Sequence, residues 1–182
     1  MIRNIFITSL PGVGKTTLIK EILDELKLDA GGFYTSEIVE KGVRKGFKII
    51  ALDSGLRISS VQGREGILAH QDIKSRYKVS KYGVNLKDLE EIGVKSILDA
   101  LRENKICVID EIGTMELFSE KFKEAVLDAL NSQNKVLGTI TLKPNPFCEK
   151  IKQRKDTKIF YLTRNNREKI KEAIKKLLWD EI

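Results

Sequence analysis

The sequence predicts an α/β fold: a mostly parallel sheet with helices on both faces and a β-hairpin inserted early in the chain. Three observations predict it. Strands such as "KICVID" are apolar throughout, which suits a parallel sheet covered on both sides. They alternate with amphipathic helical segments. One stretch, "GGFYTSEIVEKGVRKGFKIIAL", instead has two alternating runs around "EKG" and reads as a hairpin.

Each element follows from periodicity and breakers. Ile2 to Thr8 is a buried strand. Gly14 to Leu28 is a helix with Leu18, Ile19, Ile22, Leu23 and Leu26 on one face. The hairpin occupies 31–52. "DSGLRISSVQGREG" is a loop or a small strand. Asn85 to Arg102 is helical, with an interruption expected at Gly93. "KICVID" is a strand that ends in acid. Glu120 to Leu130 is a helix, and "KVLGTIT" a strand. "KPNPFCEKIKQR" is a loop with a short helix, and "KIFYLT" is a strand. Asn166 to Trp179 closes the chain as an amphipathic helix, with Asn165 as its N-cap and Glu168 reaching back. No repeat, low-complexity tract or linker interrupts 1–182, so one domain is expected.

Composition bounds the function. The chain has 182 residues, 41% of them hydrophobic and 32% charged, enough for a sizeable core and unlike a disordered chain. The net charge of +7 favours anionic partners, with a nucleotide, RNA or a phosphoprotein as candidates and a solvated lysine surface as the plain reading. Aromatic residues make up only 7% and no RNA-stacking consensus is present, so weak RNA contact is the most expected. Cys107 and Cys148 form no C-x-x-C pair, which points to a reducing compartment. The single histidine, His70, cannot build a zinc site alone and is expected in a loop or on the surface. The N-terminal apolar run is too short for a signal peptide or a membrane span, so the cytoplasm is the expected compartment. A monomer is the expected state.

The chemistry starts at "SLPGVGKT". Gly14, Lys15 and Thr16 fit the end of the phosphate-loop pattern G-x-x-x-x-G-K-[ST], with Ser9 in place of its first glycine and Gly12 adding freedom inside the loop. Glycine permits the dihedrals that turn successive N–H groups inward on a phosphate. The helix beginning near Gly14 adds the positive end of its dipole. Lys15 reaches the β- and γ-phosphates, and the Thr16 hydroxyl ligates Mg²⁺.

A second stretch supplies acid. In "ICVIDEIGTMEL", four apolar residues lead into Asp110 and Glu111. Asp110 fits the Walker B carboxylate that holds Mg²⁺, and Glu111 fits the group that orients and deprotonates the attacking water. Glu116 is either a further site acid or a helix-start residue. Thr139 or Thr141 of the next strand is a sensor hydroxyl near the γ-phosphate, or simply a β-branched strand residue. Arg154 is the first candidate for a transition-state cation, with Arg64, Arg76, Arg164 and Arg167 behind it.

With those pieces the chain resembles the small thermophilic-type and cancer-related nucleoside-triphosphatases, over nearly its whole length. "PGVGKTT", "GGFYTSEIVEKGVRKGF", "YGVNLKDLEE", "VIDEIGTMEL", "GTIT" and "TRNNRE" carry the resemblance. The family reads glycine and proline where this chain has Ser9 and Leu10. The resemblance implies a P-loop fold of the subclass with an extra strand and a catalytic Glu beside Walker B. It also implies slow, Mg²⁺-dependent hydrolysis of ATP, GTP, CTP, UTP and TTP to the diphosphates, with broad base tolerance. The expected nucleotide-binding set is Ser9, Leu10, Pro11, Gly12, Val13, Gly14, Lys15, Thr16 and Thr17, with Cys107, Val108, Ile109, Asp110, Glu111, Ile112 and Gly113. Lys15 and Glu111 are the expected catalytic residues, and Thr16 and Asp110 the metal pair.

Two rivals remain at the level of sequence. A nucleoside or nucleotide kinase would use "GREGILAHQDIKSRYK" as a lid and transfer phosphate to an acceptor. A nucleic-acid-dependent ATPase would be stimulated by a polynucleotide.

Overall fold

The computed structural model describes residues 1–52 and 64–179. The first helix and strands match their expected places: β1 (Asn4–Thr8), α1 (Lys15–Leu26), then the hairpin strands β2 (Ala30–Glu40) and β3 (Val43–Leu52). The hairpin turns on Lys41 and Gly42, both at positive φ (48° and 76°), the pairing that matches the twist of the flanking strands. Of the segment expected as a loop or small strand, 53–63 lies outside the described residues. Its end is part of β4 (Glu65–His70).

Beyond β4 come β5 (Lys78–Val79) and β6 (Tyr82–Val84). Asn85 then caps a helical stretch, its side chain accepting from the Asp88 N–H. That stretch is α2 (Leu86–Asp88), a π turn (Leu89–Val94) and α3 (Lys95–Arg102), so the irregularity expected at Gly93 is a widened turn. The chain continues through β7 (Ile106–Ile112), a 3₁₀ turn (Glu116–Phe118), α4 (Glu120–Asn131), β8 (Val136–Ile140), α5 (Pro146–Lys152), β9 (Thr157–Tyr161) and α6 (Arg167–Trp179).

Among the described residues the strands form one sheet of order β5-β6-β4-β3-β2-β7-β8-β1-β9. The block β2-β7-β8-β1-β9 is parallel, and β8 is the extra strand between β1 and the acid-bearing β7. The antiparallel part is larger than the single expected hairpin, because β4, β6 and β5 extend it. β4 is short, and its alternation is hidden by glycine and by the turn residues around it. It is nonetheless paired along β3 with Leu68 and Ala69 buried, so the stretch once eligible as a lid is in part a strand of the sheet. His70 ends that strand, half-buried rather than in a loop, and its Nδ1 accepts from the Asp72 N–H at 3.2 Å.

Helices cover both faces. One core joins α1 and α6 through Leu18, Ile19, Ile22, Ile170 and Ile174. The other joins α3, α4 and α5 through Ile97, Phe122, Val126 and Ile151. Among the described residues no helix is long and apolar enough to cross a membrane. The consequence for function is geometric: the C-terminal ends of β1, β8 and β7 lie side by side at one edge of the sheet.

Candidate active site

The glycine loop leaves β1 at that edge. Five consecutive buried residues bring the chain to Thr8. Ser9 is buried at the strand exit, where its hydroxyl donates to the Leu10 carbonyl at 2.8 Å. Leu10 is 61% exposed, and Pro11 and Gly12 are exposed as well. Gly12 and Gly14 have φ of 76° and 97°, values an L side chain rarely takes. Gly14 caps α1 without a side chain, and the first turn holds no acidic residue, so its N–H groups and dipole are left for an anion. Val13 packs on the α1–α6 core. Lys15 and Thr16 are half-buried, and Thr17 faces outward.

Asp110 is where the far parts of the chain meet. It is 1% exposed. Thr16 Oγ1 donates to its Oδ2 and Thr139 Oγ1 to its Oδ1, each at 2.6 Å. The Thr35 N–H bonds it as well. Burial pushes the Asp110 carboxyl above the ordinary carboxylate range; these three hydrogen bonds and Lys15 pull it back. Strand alternation explains the aim. Val108 packs on the α1 side and Cys107 and Ile109 on the other, so Asp110, two residues after Val108, faces α1. The β7–β8 ladder shifts register between Ile109 and Ile112, which places both acids at an irregularity.

Glu111 is pushed upward mainly by burial and then by Asp110, while Lys15 and Lys143 pull it down. Glu116, 4% exposed, is pushed to about 8, first by burial and then by Glu111. Both carboxylates press on Gly113: a Cβ there would sit 3.0 Å from Glu116 Oε2 and 3.2 Å from Glu111 Oε2. Glycine at 113 thus lets two acids approach one short loop. Cys107, Val108, Ile109 and Ile112 are all fully buried, so their side chains build the core beneath the acids.

An NTPase family model matches residues 4–175. The chain belongs to the nucleoside-triphosphatase family. It is 52% identical to the nucleoside-triphosphatase THEP1 of Thermotoga sp. (strain RQ2), over 96% of this chain and 94% of that one. The crystal structure of THEP1 from the hyperthermophile Aquifex aeolicus superposes with a TM-score of 0.83 at 36% identity, covering 97% and 99% of the two chains. The solution structure of a human cancer-related nucleoside triphosphatase gives 0.80 at 34% identity, covering 99% of each.

In this NTPase the structure sorts the candidates that the sequence left open. Thr139 spends its hydroxyl on Asp110, whereas Thr141 accepts from the Lys143 N–H. Arg154, the first arginine candidate, is placed elsewhere. Its Nε and Nη2 pair with Asp156 at 2.9 Å each, and the Asp156 carbonyl accepts from the Asn4 N–H at the start of β1, the opposite edge of the sheet. Arg64 pairs with Asp99 of α3, and Arg76 stacks on Tyr77. Arg167 is the one brought to the loop, its Nη1 donating to the Gly14 carbonyl at 3.3 Å and its Nη2 pairing with Glu21 at 2.9 Å. Arg164 is exposed in the turn before it.

The turn itself also differs from expectation. α6 starts at Arg167, so Asn166 and not Asn165 precedes it. The Asn166 side chain folds back to accept from the Thr163 N–H, and Glu168 pairs with Lys171. Lys20 was not anticipated at all. It lies 3.6 Å over the Tyr34 ring, and burial lowers its pKa against the pull of Asp110 and Asp24. Its signal was the i+4 spacing from Thr16, which puts both on one helix face.

Proposed function

We propose that this chain hydrolyses ATP, GTP, CTP, UTP and TTP to the diphosphate and phosphate. In this reading the reaction needs Mg²⁺, turns over slowly and discriminates little between bases. The chain is a nucleoside-triphosphatase by family. The observation that carries the finer reading is Asp110, held between Thr16 at the glycine loop and Thr139 of β8, with Glu111 as its neighbour.

The roles follow from the environments. The loop N–H groups and Lys15 bind the phosphates and offset their charge. Glu111 has its proton affinity raised by burial yet stays within the field of Lys15, which suits a base that takes a proton from water. Thr16 and Asp110 offer two hard oxygens side by side, and Mg²⁺ takes few protein ligands, completing its shell with phosphate and water. When bound there, Mg²⁺ supplies charge neutralisation on the phosphate oxygens.

Hydrolysis is favoured over transfer because the stretch that would serve as a kinase lid contributes β4 to the sheet. We further read the chain as a cytoplasmic monomer whose positive charge gives only weak RNA contact. The test is phosphate release with Mg-ATP alone, then with RNA, single-stranded DNA, nucleosides or nucleoside monophosphates. Release without any addition is expected. Stimulation above about tenfold by a polynucleotide (more than 1.4 kcal/mol of coupling), or label transferred to an acceptor, would overturn the reading.

A further inference from the structure

β8 lies between the strand that leads into the glycine loop and the strand that carries the acids. The segment that leaves its C-terminal end therefore emerges between the glycine loop and the acids. That segment, 141–145, joins β8 to α5. It is fixed at both ends. The Thr141 N–H donates to the Ile112 carbonyl at 3.0 Å, which ties its start to the residue after Glu111. The Asn145 side chain accepts from the Phe147 and Cys148 N–H groups, which ties its end to the first turn of α5. Between these anchors the Thr141 hydroxyl accepts from the Lys143 N–H at 3.1 Å, a local side-chain turn that sets the backbone at Lys143.

Glu111 lies in the field of two ammonium groups, Lys15 and Lys143, and among the described residues forms an ion pair with neither. Lys15 comes from the head of α1, and Lys143 from the segment above β8. Lys143 is exposed, and its ammonium has no hydrogen-bond or ion-pair partner among the described residues. Arg167, the arginine at the glycine loop, is by contrast occupied: one Nη donates to the Gly14 carbonyl and the other pairs with Glu21.

We propose that Lys143 is the second cation of the reaction, donating from its ammonium to the oxygens of the γ-phosphoryl group as that group passes to water. The proposal rests on the triphosphatase reading above. In the step, a water oxygen bonds to the γ-phosphorus and its proton goes to the Glu111 carboxylate. The bond from phosphorus to the β,γ-bridging oxygen breaks, and that oxygen keeps the electron pair. Lys143 stays an ammonium throughout. Lys15 meets the phosphates when they bind, whereas Lys143 stands on the side of the acid, where the water attacks. A cation there lowers the barrier by sharing the charge of the transferring oxygens.

Lys143→Ala and Lys143→Arg in the full chain test this. The readouts are phosphate release and calorimetry with Mg-ADP, alone and with fluoroaluminate, an anion that stands in for the phosphoryl group in flight. Both variants should melt as the parent does, because Lys143 is exposed. Lys143→Ala should release phosphate at least about a hundredfold more slowly at unchanged KM, the size of one lost transition-state donor. Its affinity for Mg-ADP should match the parent's, and fluoroaluminate should tighten that binding about a hundredfold less than in the parent. Lys143→Arg should restore most of both. An equal loss for Mg-ADP and for the fluoroaluminate complex overturns the proposal, since Lys143 would then serve the bound diphosphate or the shape of the segment. An arginine that restores neither overturns it too, because the charge would not be what acts. Parental turnover in Lys143→Ala sinks this proposal alone. A parent that releases no phosphate from any triphosphate sinks the triphosphatase reading and this proposal with it.

Discussion

Thr16 Oγ1 and Asp110 Oδ2 are hydrogen-bonded at 2.6 Å across 94 positions of sequence. Thr16 lies in the first turn of the helix after the glycine loop, and Asp110 near the end of β7. β1, which leads into that loop, is not the neighbour of β7, since β8 lies between them, and β8 contributes Thr139 to the opposite carboxylate oxygen. The site is therefore assembled by strand order, and four consequences can be measured.

Lys15→Ala should lower triphosphate turnover by about a thousandfold, because a preorganised cation aimed at transferring phosphate is worth several kcal/mol in a half-buried site. Phosphate release under saturating Mg-ATP checks it. Turnover at the parent rate would remove the loop from the reaction.

Asp110→Asn and Glu111→Gln should separate binding from chemistry. The first loses a charge beside Thr16 and should weaken Mg-ATP binding along with turnover. The second should bind Mg-ATP nearly as the parent does and hydrolyse it at least about a hundredfold more slowly, the size of one general-base contribution. Calorimetric affinities beside single-turnover rates decide it, and equal binding losses would refute the division.

Thr139→Val keeps the shape and removes the hydroxyl that bonds Asp110 Oδ1. A buried carboxylate oxygen left without its donor costs about 1–3 kcal/mol. Urea unfolding should show that loss, and the apparent pKa of Asp110 should rise, since the bond favours the charged form. Full parental stability would show that water or another donor replaces the hydroxyl.

Glu116 predicts a pH dependence. In the fold its carboxyl keeps a proton up to about 8, against an ordinary value of 4.5 that applies to the unfolded chain. Between those values the folded state binds more protons. The stability from this group is therefore complete below about 4.5 and is lost as pH rises through about 8. Glu116→Gln should flatten the fall in melting temperature between pH 5 and pH 9, values about the two ends of that window, in nucleotide-free protein. A variant that falls as steeply as the parent would show that Glu116 ionises freely in the fold.

The sequence by itself determined what is local. Glycine spacing located the turn between β1 and α1, four apolar residues ending in two acids located β7, and "EKG" between alternating runs located the hairpin, since each signal lies within one continuous stretch of sequence. Even the irregular turn at Gly93 was legible, because glycine is the weak point of a helix. Tertiary structure decided what depends on pairing distant strands. It chose Arg167 over Arg154, because β9 runs parallel to β1 and carries the residues before and after it to opposite edges. It turned Thr139 onto Asp110 by placing β8 between β1 and β7. It buried Glu116 against Gly113, where desolvation rather than sequence sets the proton affinity. β4 and β6 are too short to announce themselves: β4 exists because β3 offers an edge to pair with, and β6 because β4 then offers its own. Spacing along the chain names the candidate groups, and the order of strands, which no local pattern encodes, sets which of them meet.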